Sequence, residues 1–177
     1  GAAADDINTL AATTGLSTEQ IQKFQYASDL IDVSLETMAG SMSRMIRNMG
    51  TAQRGTGDAA KAFQALGVSI TDSNGELRDS ETVFNEVISA LSAMENETQR
   101  DAYAMQIFGR SARELNPLIE GGAEALKQLG DSAQAAGLIL SQESLDHLNE
   151  FNDSVDILKA NAGQAGNVLA GAFAGGF

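Results

Sequence analysis

Residues 17–50 read STEQIQKFQYASDLIDVSLETMAGSMSRMIRNMG, and the apolar residues in this stretch keep a strict rhythm. Ile21, Phe24, Ile31, Leu35, Met38, Met42, Met45 and Met49 fall at alternating steps of three and four, with Ser28 as the polar place in the series. That is the a/d pattern of a heptad seam, which keeps side chains on one face of a helix. Ser17 and Gln20 stand at the S-x-x-Q spacing of a capping box, where a hydroxyl and an amide satisfy backbone N–H groups reciprocally. Gly50, Gly55 and Gly57 end the pattern. The stretch predicts one continuous helix from Ser17 to Met49, roughly 48 Å long at about 1.5 Å per residue. The methionines at the end of the seam have two readings. They form an adaptable face for a partner helix, because the unbranched thioether repacks easily, or they are ordinary core against later helices of the same chain.

The rest of the composition suits helices. Hydrophobic residues make up 43% of the 177, aromatics only 5%, and Trp is absent. A core built from Ala, Leu, Ile, Val and Met belongs to helix-on-helix packing. Pro117 is the single proline, so little interrupts a helix by removing its N–H donors.

Upstream, Ala2 to Thr14 reads as a short helix stopped by Gly15. Downstream, Asp58 to Leu66 reads as a short amphipathic helix, with Gly67 where a C-terminal glycine cap belongs. In VSITDSNGELRD, residues 68–79, Val68 and Ile70 alternate with polar residues. Asn74-Gly75 would supply the two positive-φ residues of a type I′ turn, which predicts a small β-hairpin with Leu77 on its returning arm. Such a hairpin is marginal alone and must lean on helices. Ser80 is expected to cap a helix through about Met94, with Val83, Phe84, Val87, Ile88 and Leu91 on one face. Asn96 caps Glu97 to Phe108, and Gly109 ends it. Ser111 and Glu114 form another capping box, Pro117 is expected to kink or stop a short helix, and Gly121-Gly122 to break the chain. Ala123 to Ala136 forms a helix closed by Gly137. Ser141 caps a last long helix with Leu145, Leu148, Phe151, Val155, Leu158, Ala162 and Ala165 as its seam. A Gly/Ala-rich tail follows.

The expected fold is therefore all-α, with long helices flanking a compact helical unit and one small β-hairpin near residues 68–79. It divides into a heptad segment at 1–57, a compact core at 58–137, and a long helix with tail at 138–177. Phe63, Leu66, Gly67, Val68, Ile70, Asn74, Gly75, Leu77, Phe84, Phe108 and Gly109 are the expected structural residues of the core and hairpin.

Chemistry is hard to place in this sequence. Cysteine is absent, which closes off disulfides, thiolate metal sites and a Cys nucleophile. The one histidine, His147, lacks H-E-x-x-H spacing and reads as a surface residue. Neither a G-x-S-x-G elbow nor a P-loop occurs. Asp72, Asn74, Glu76 and Asp79 fail the register of a calcium loop, since Leu77 and Val83 stand where Gly and Glu belong. Catalytic, cofactor and metal residues are thus all expected to be none. The formal charge of −13, from 24 acidic and 11 basic residues, argues against a sequence-independent grip on nucleic acid. The opening GAAADDINTL lacks a basic n-region and is not read as a signal peptide; it reads as the start of a segment cut from something longer.

The stretch from Lys61 to Asp79, KAFQALGVSITDSNGELRD, combines a helix ending in F-x-x-L-G-V with a D-x-x-G-x-L-R-D core. A helix of the form Val83-Phe84-x-x-Val87-Ile88-x-x-Leu91 follows. Further on come Arg100-x-Ala102, Ile107-Phe108-Gly109-Arg110 and Ala112. These linked motifs, best over Lys61 to Gly122, resemble the core region of phage tail tape-measure proteins. The resemblance implies a structural segment of a much longer parent that extends through the lumen of a growing tail. Tube subunits polymerise around such a parent until its end is reached, and it leaves ahead of the DNA. It also implies tail-tube and tail-tip proteins and tail assembly chaperones as partners, and a place in the virion after assembly in the host bacterial cytoplasm. The heptads add self-association through helices. Membrane contact is expected only beyond the C-terminal end. Read without the resemblance, the same heptads fit a generic coiled-coil module of a secretion or signalling assembly.

Overall fold

The computed structural model describes residues 4–150, together with Asp153, Ser154, Ile157 and Ala160. Their order is α1 (Ala4–Thr14), α2 (Thr18–Leu30), α3 (Leu35–Gln53), α4 (Ala59–Ala65), α5 (Ser80–Ser92), α6 (Glu97–Phe108), a 3₁₀ segment (Arg110–Leu115) and α7 (Asn116–Ala135). The fold is mainly all-α. Residues 1–139 form one compact unit and 140–177 another. Across the expected division after residue 57, α3 packs directly on α4, α6 and the 3₁₀ segment.

The heptad stretch is not one helix. It stops at Leu30 and restarts at Leu35. Ser34 adopts an extended conformation, and its hydroxyl accepts from the Thr37 N–H at 3.1 Å, which starts a new helix. Ile31 is extended too, with φ −113° and ψ 139°. The turn buries Val33, which lies off the seam, while Ile31 on the seam is only half-buried. Two shorter helices in contact with each other replace the single rod.

The core gathers on α2, α3, α5, α6 and α7. Phe24, Phe84 and Phe108 form a chain of rings, with centroids 5.6 Å apart for the first pair and 5.7 Å for the second, edge-on pair. Such geometry suits the ring quadrupoles. Both α2 and α5 pack on α7.

Other expectations need correction. The β-hairpin is absent: residues 68–79 hold one isolated antiparallel bridge, Thr71 with Leu77. Among the described residues no non-glycine has positive φ, so Asn74 cannot serve a type I′ turn. Asp79, not Ser80, caps α5, by accepting from the Thr82 N–H at 3.0 Å. Pro117 starts α7 rather than stopping a helix, since its missing N–H costs nothing in a first turn. The helix then runs through Gly121-Gly122 without a break. Ser111 and Glu114 do not form a box; their side chains meet Ser41 and Thr37 of α3. In the second unit, Ser141 accepts from the Ser144 N–H at 3.1 Å and helix follows at 142–150. Phe151, Val155, Leu158, Ala162, Ala165 and the Gly/Ala-rich tail lie outside the described residues.

Candidate functional site

The loop between α4 and α5 is the most elaborated irregular segment of the first unit. Gly67, at φ +71°, closes α4: its N–H donates to Gln64 O and the Val68 N–H to Phe63 O, both at 3.0 Å. That pair of bonds is a Schellman closure, and the left-handed backbone it needs favours glycine. The Asp72 carboxylate then accepts from the Asn74 and Glu76 N–H groups at 2.8 and 3.1 Å. The Gly75 N–H donates to Asp72 O at 3.1 Å, with Gly75 at φ +79°. This is the three-residue loop of a tight turn followed by a left-handed glycine. The Asp72 carboxylate, in a segment whose register fails a calcium loop, is thus occupied with backbone N–H groups of its own turn. Gln53, at the end of α3, donates to Gly75 O at 2.8 Å and ties the tip of the loop down.

Arg78 fixes the base of the loop. Its guanidinium donates to both carboxylate oxygens of Glu86 on α5 at 2.8 Å and to Ser69 O across the loop at 2.8 Å. A planar fork is suited to this double duty. The hydrogen bonds from Arg78 hold the Glu86 carboxyl below its ordinary range, and those to Glu86 raise Arg78. An open groove of about 640 Å³ runs beside the pair, with Val68, Thr82, Asn85 and Lys127 among its walls. The arrangement positions a loop; it assembles no nucleophile, base and oxyanion donors around one point.

A second joint forms where α6 ends. Gly109 has φ +81°, and a Cβ there would lie 3.2 Å from Arg44 Nε. Asn48 of α3 donates to the Gln106 and Ile107 carbonyls at 3.2 and 2.8 Å, which satisfies two orphan acceptors of the helix end. This accounts physically for glycine in the Phe108-Gly109-Arg110 motif.

Of the expected core and hairpin residues, Phe63, Val68, Phe84 and Phe108 are buried. Leu66 and Ile70 are half-buried, and Leu77 is 39% exposed. Asn74 and Gly75 form the exposed tip. Phe84 and Phe108 touch, but through Phe24 the ring chain reaches α2 rather than the loop. Of the seam residues, Ile21, Phe24, Leu35, Met38, Met42, Met45 and Met49 are buried within the chain. In this fold their side chains pack against the chain's own helices. His147 is exposed, 3.8 Å from both Glu143 and Glu150. Sequence reasoning missed Arg78 with Glu86, and Arg44 and Asn48 over Gly109. The first pair is eight residues apart across a loop, and the second pair is some sixty residues from its target, so no local spacing marks either. Among the described residues no three potential ligands converge as a metal site, and no helix is long and apolar enough to cross a membrane.

Against known proteins, a family model described as phage-related minor tail protein matches residues 2–109. No curated protein and no solved structure matches the chain. The matched stretch is more than half of the chain and runs from α1 through the loop with Gly67 and Gly75 to the joint at Gly109, so both glycine-dependent joints lie inside it. The chain therefore belongs to the phage-related minor tail protein family.

Proposed function

We propose that this chain is the core segment of a tail tape-measure protein, with a structural role in tail assembly and tail-length determination and a part in genome delivery. The observation that carries the reading is the ordered pair of motifs, Lys61 to Asp79 and Gln99 to Ala112, of which all but the last three residues lie within the family match. The breaks at 31–34 and 54–58 mean that residues 4–139 do not themselves supply an uninterrupted rod. On this reading the length gauge is helical sequence elsewhere in a longer parent, and this unit is a folded stop or docking feature on it. Its work is done in the tube lumen, against tube and tip subunits, after assembly with chaperones in the host cytoplasm.

The test is genetic. Insertion of about 50 helix-forming residues outside the unit, in the phage-encoded parent, lengthens tails by about 75 Å in electron micrographs. Deletion of residues 4–139 abolishes tails or their uniform length. Tails of unchanged length and number after both changes would overturn the proposal.

A further inference from the structure

On this acidic chain the basic residues are not evenly spread. From Thr37 to Gly57 there is no Asp or Glu, and Arg44, Arg47 and Arg54 all fall there. All three are exposed, Arg44 and Arg47 on α3 and Arg54 at its C-cap, while Met38, Met42, Met45 and Met49 are buried. The 3₁₀ segment lies antiparallel beside α3: Asn48 meets the end of α6, Arg44 covers Gly109, Ser41 meets Ser111, and Thr37 meets Glu114. Arg110 and Arg113 are exposed on this segment, three residues apart, a spacing that eclipses side chains in a 3₁₀ turn. Five of the chain's eleven basic residues thus lie on α3, at its C-cap or on the 3₁₀ segment beside it. Among the described residues none of the five has an ion-pair partner. Glu114, the one carboxylate of the segment, accepts from the Thr37 hydroxyl at 2.8 Å.

The other end of α3 has the opposite sign. An open groove of about 770 Å³ lies between α1, the end of α2 and the start of α3. Asp6, Asp29, Asp32 and Glu36 line it, with Leu10 and Val33 as apolar floor. These carboxylates are exposed and also lack ion-pair partners among the described residues. The two charged regions cannot neutralise each other within one copy. Glu36 and Arg44 are about 12 Å apart along the helix axis, beyond the screening length of about 8 Å at physiological salt.

We propose that a second copy of this chain docks its arginine face, centred on Arg44 and Arg47, into the acidic groove of the first. The contact is head-to-tail, with different surfaces on the two copies, so it propagates into a ring or a filament rather than closing as a two-fold dimer. Arginine suits the role because its fork pairs with carboxylates in two parallel bonds. The inference rests on surface charge and stands independently of the tape-measure reading.

The test is sedimentation equilibrium of the full chain at about 20 mM and about 500 mM salt. Association is expected at low salt and falls at least about tenfold at high salt. Arg44→Glu with Arg47→Glu gives monomers, and so does Asp29→Arg with Asp32→Arg. Mixed together, these two variants associate again, because each retains the surface the other has lost. Circular dichroism checks that each variant folds, and Arg44→Gln with Arg47→Gln replaces the first pair if it does not. A wild-type chain that stays monomeric overturns the proposal, as does association that survives both reversals or a mixture that fails to pair. Monomers that instead bind duplex DNA at low salt through the same arginines would make the face a phosphate site and also overturn it.

Discussion

Residues 28–36 and residues 116–135 misled the sequence reading in opposite directions. In the first, an unbroken heptad rhythm covers a place where the helix stops. In the second, a proline and a glycine pair cover a place where it continues. The difference lies in what each segment gains from its neighbours. At the first, stopping lets Ser34 cap α3 and buries Val33. At the second, continuing keeps Leu118, Ile119, Leu126 and Ala133 buried in a helix on which α2 and α5 pack. That packing outweighs the roughly 1 kcal/mol each glycine costs relative to Ala. Periodicity names the face of a helix; tertiary burial decides its length.

The sharpest way to break the comparison is to remove the core on which both regions depend. Phe84 lies on α5, which packs on α7, and its ring touches Phe24 of α2. Phe84→Ala is expected to destabilise the unit by about 3–5 kcal/mol, measured by chemical denaturation. A loss below about 1 kcal/mol would mean the ring chain does not join the regions.

The next two substitutions act within the regions themselves and carry opposite signs. Ser34→Ala removes the α3 cap and should cost about 1 kcal/mol. If the break were set by the linker alone, stability would hold steady. Gly121→Ala should add about 0.5–1 kcal/mol, because Gly121 is helical and nothing lies within 4 Å of an added Cβ. A loss there would show that α7 needs a weak point at Gly121.

Much of the fold was legible because its signals are local. Gly15, Gly67, Gly109 and Gly137 all carry the positive φ that ends a helix, and Ser17 and Asn96 accept from the N–H three residues on, as their spacing implies. What was not legible depends on partners distant in sequence. Ser17 and Gln20 promised a reciprocal box, yet the Gln20 amide, oriented to satisfy its surroundings, donates to Glu81 on α5 at 2.8 and 3.1 Å. Lys23 stands 3.6 Å from the same carboxylate. The hairpin failed for a related reason. The turn residues were read correctly as a turn, but the pairing stops at the Thr71–Leu77 bridge, and the Arg78 side chain bonds Ser69 O and Glu86 beside it.

That fork supplies the smallest expected effect, and its pH dependence distinguishes it from the helix substitutions. Arg78 and Glu86 are 27% and 42% exposed, so solvent screens the pair and Glu86→Gln should cost only about 0.5 kcal/mol at neutral pH. The Arg78 hydrogen bonds hold the folded carboxyl below its ordinary value of 4.5. A carboxylate with a depressed pKa binds fewer protons in the folded state than in the unfolded one. The stability it contributes is therefore whole above the ordinary value and fades as pH falls through the depressed one. Wild type and Glu86→Gln should differ in urea midpoint at pH 7 and converge below the folded carboxyl's range. The Ser34→Ala and Gly121→Ala differences involve no titrating group at the substituted position and should persist there. If the Glu86→Gln difference also persists at low pH, the loop is held by the shape of the side chain at 86 rather than by its charge.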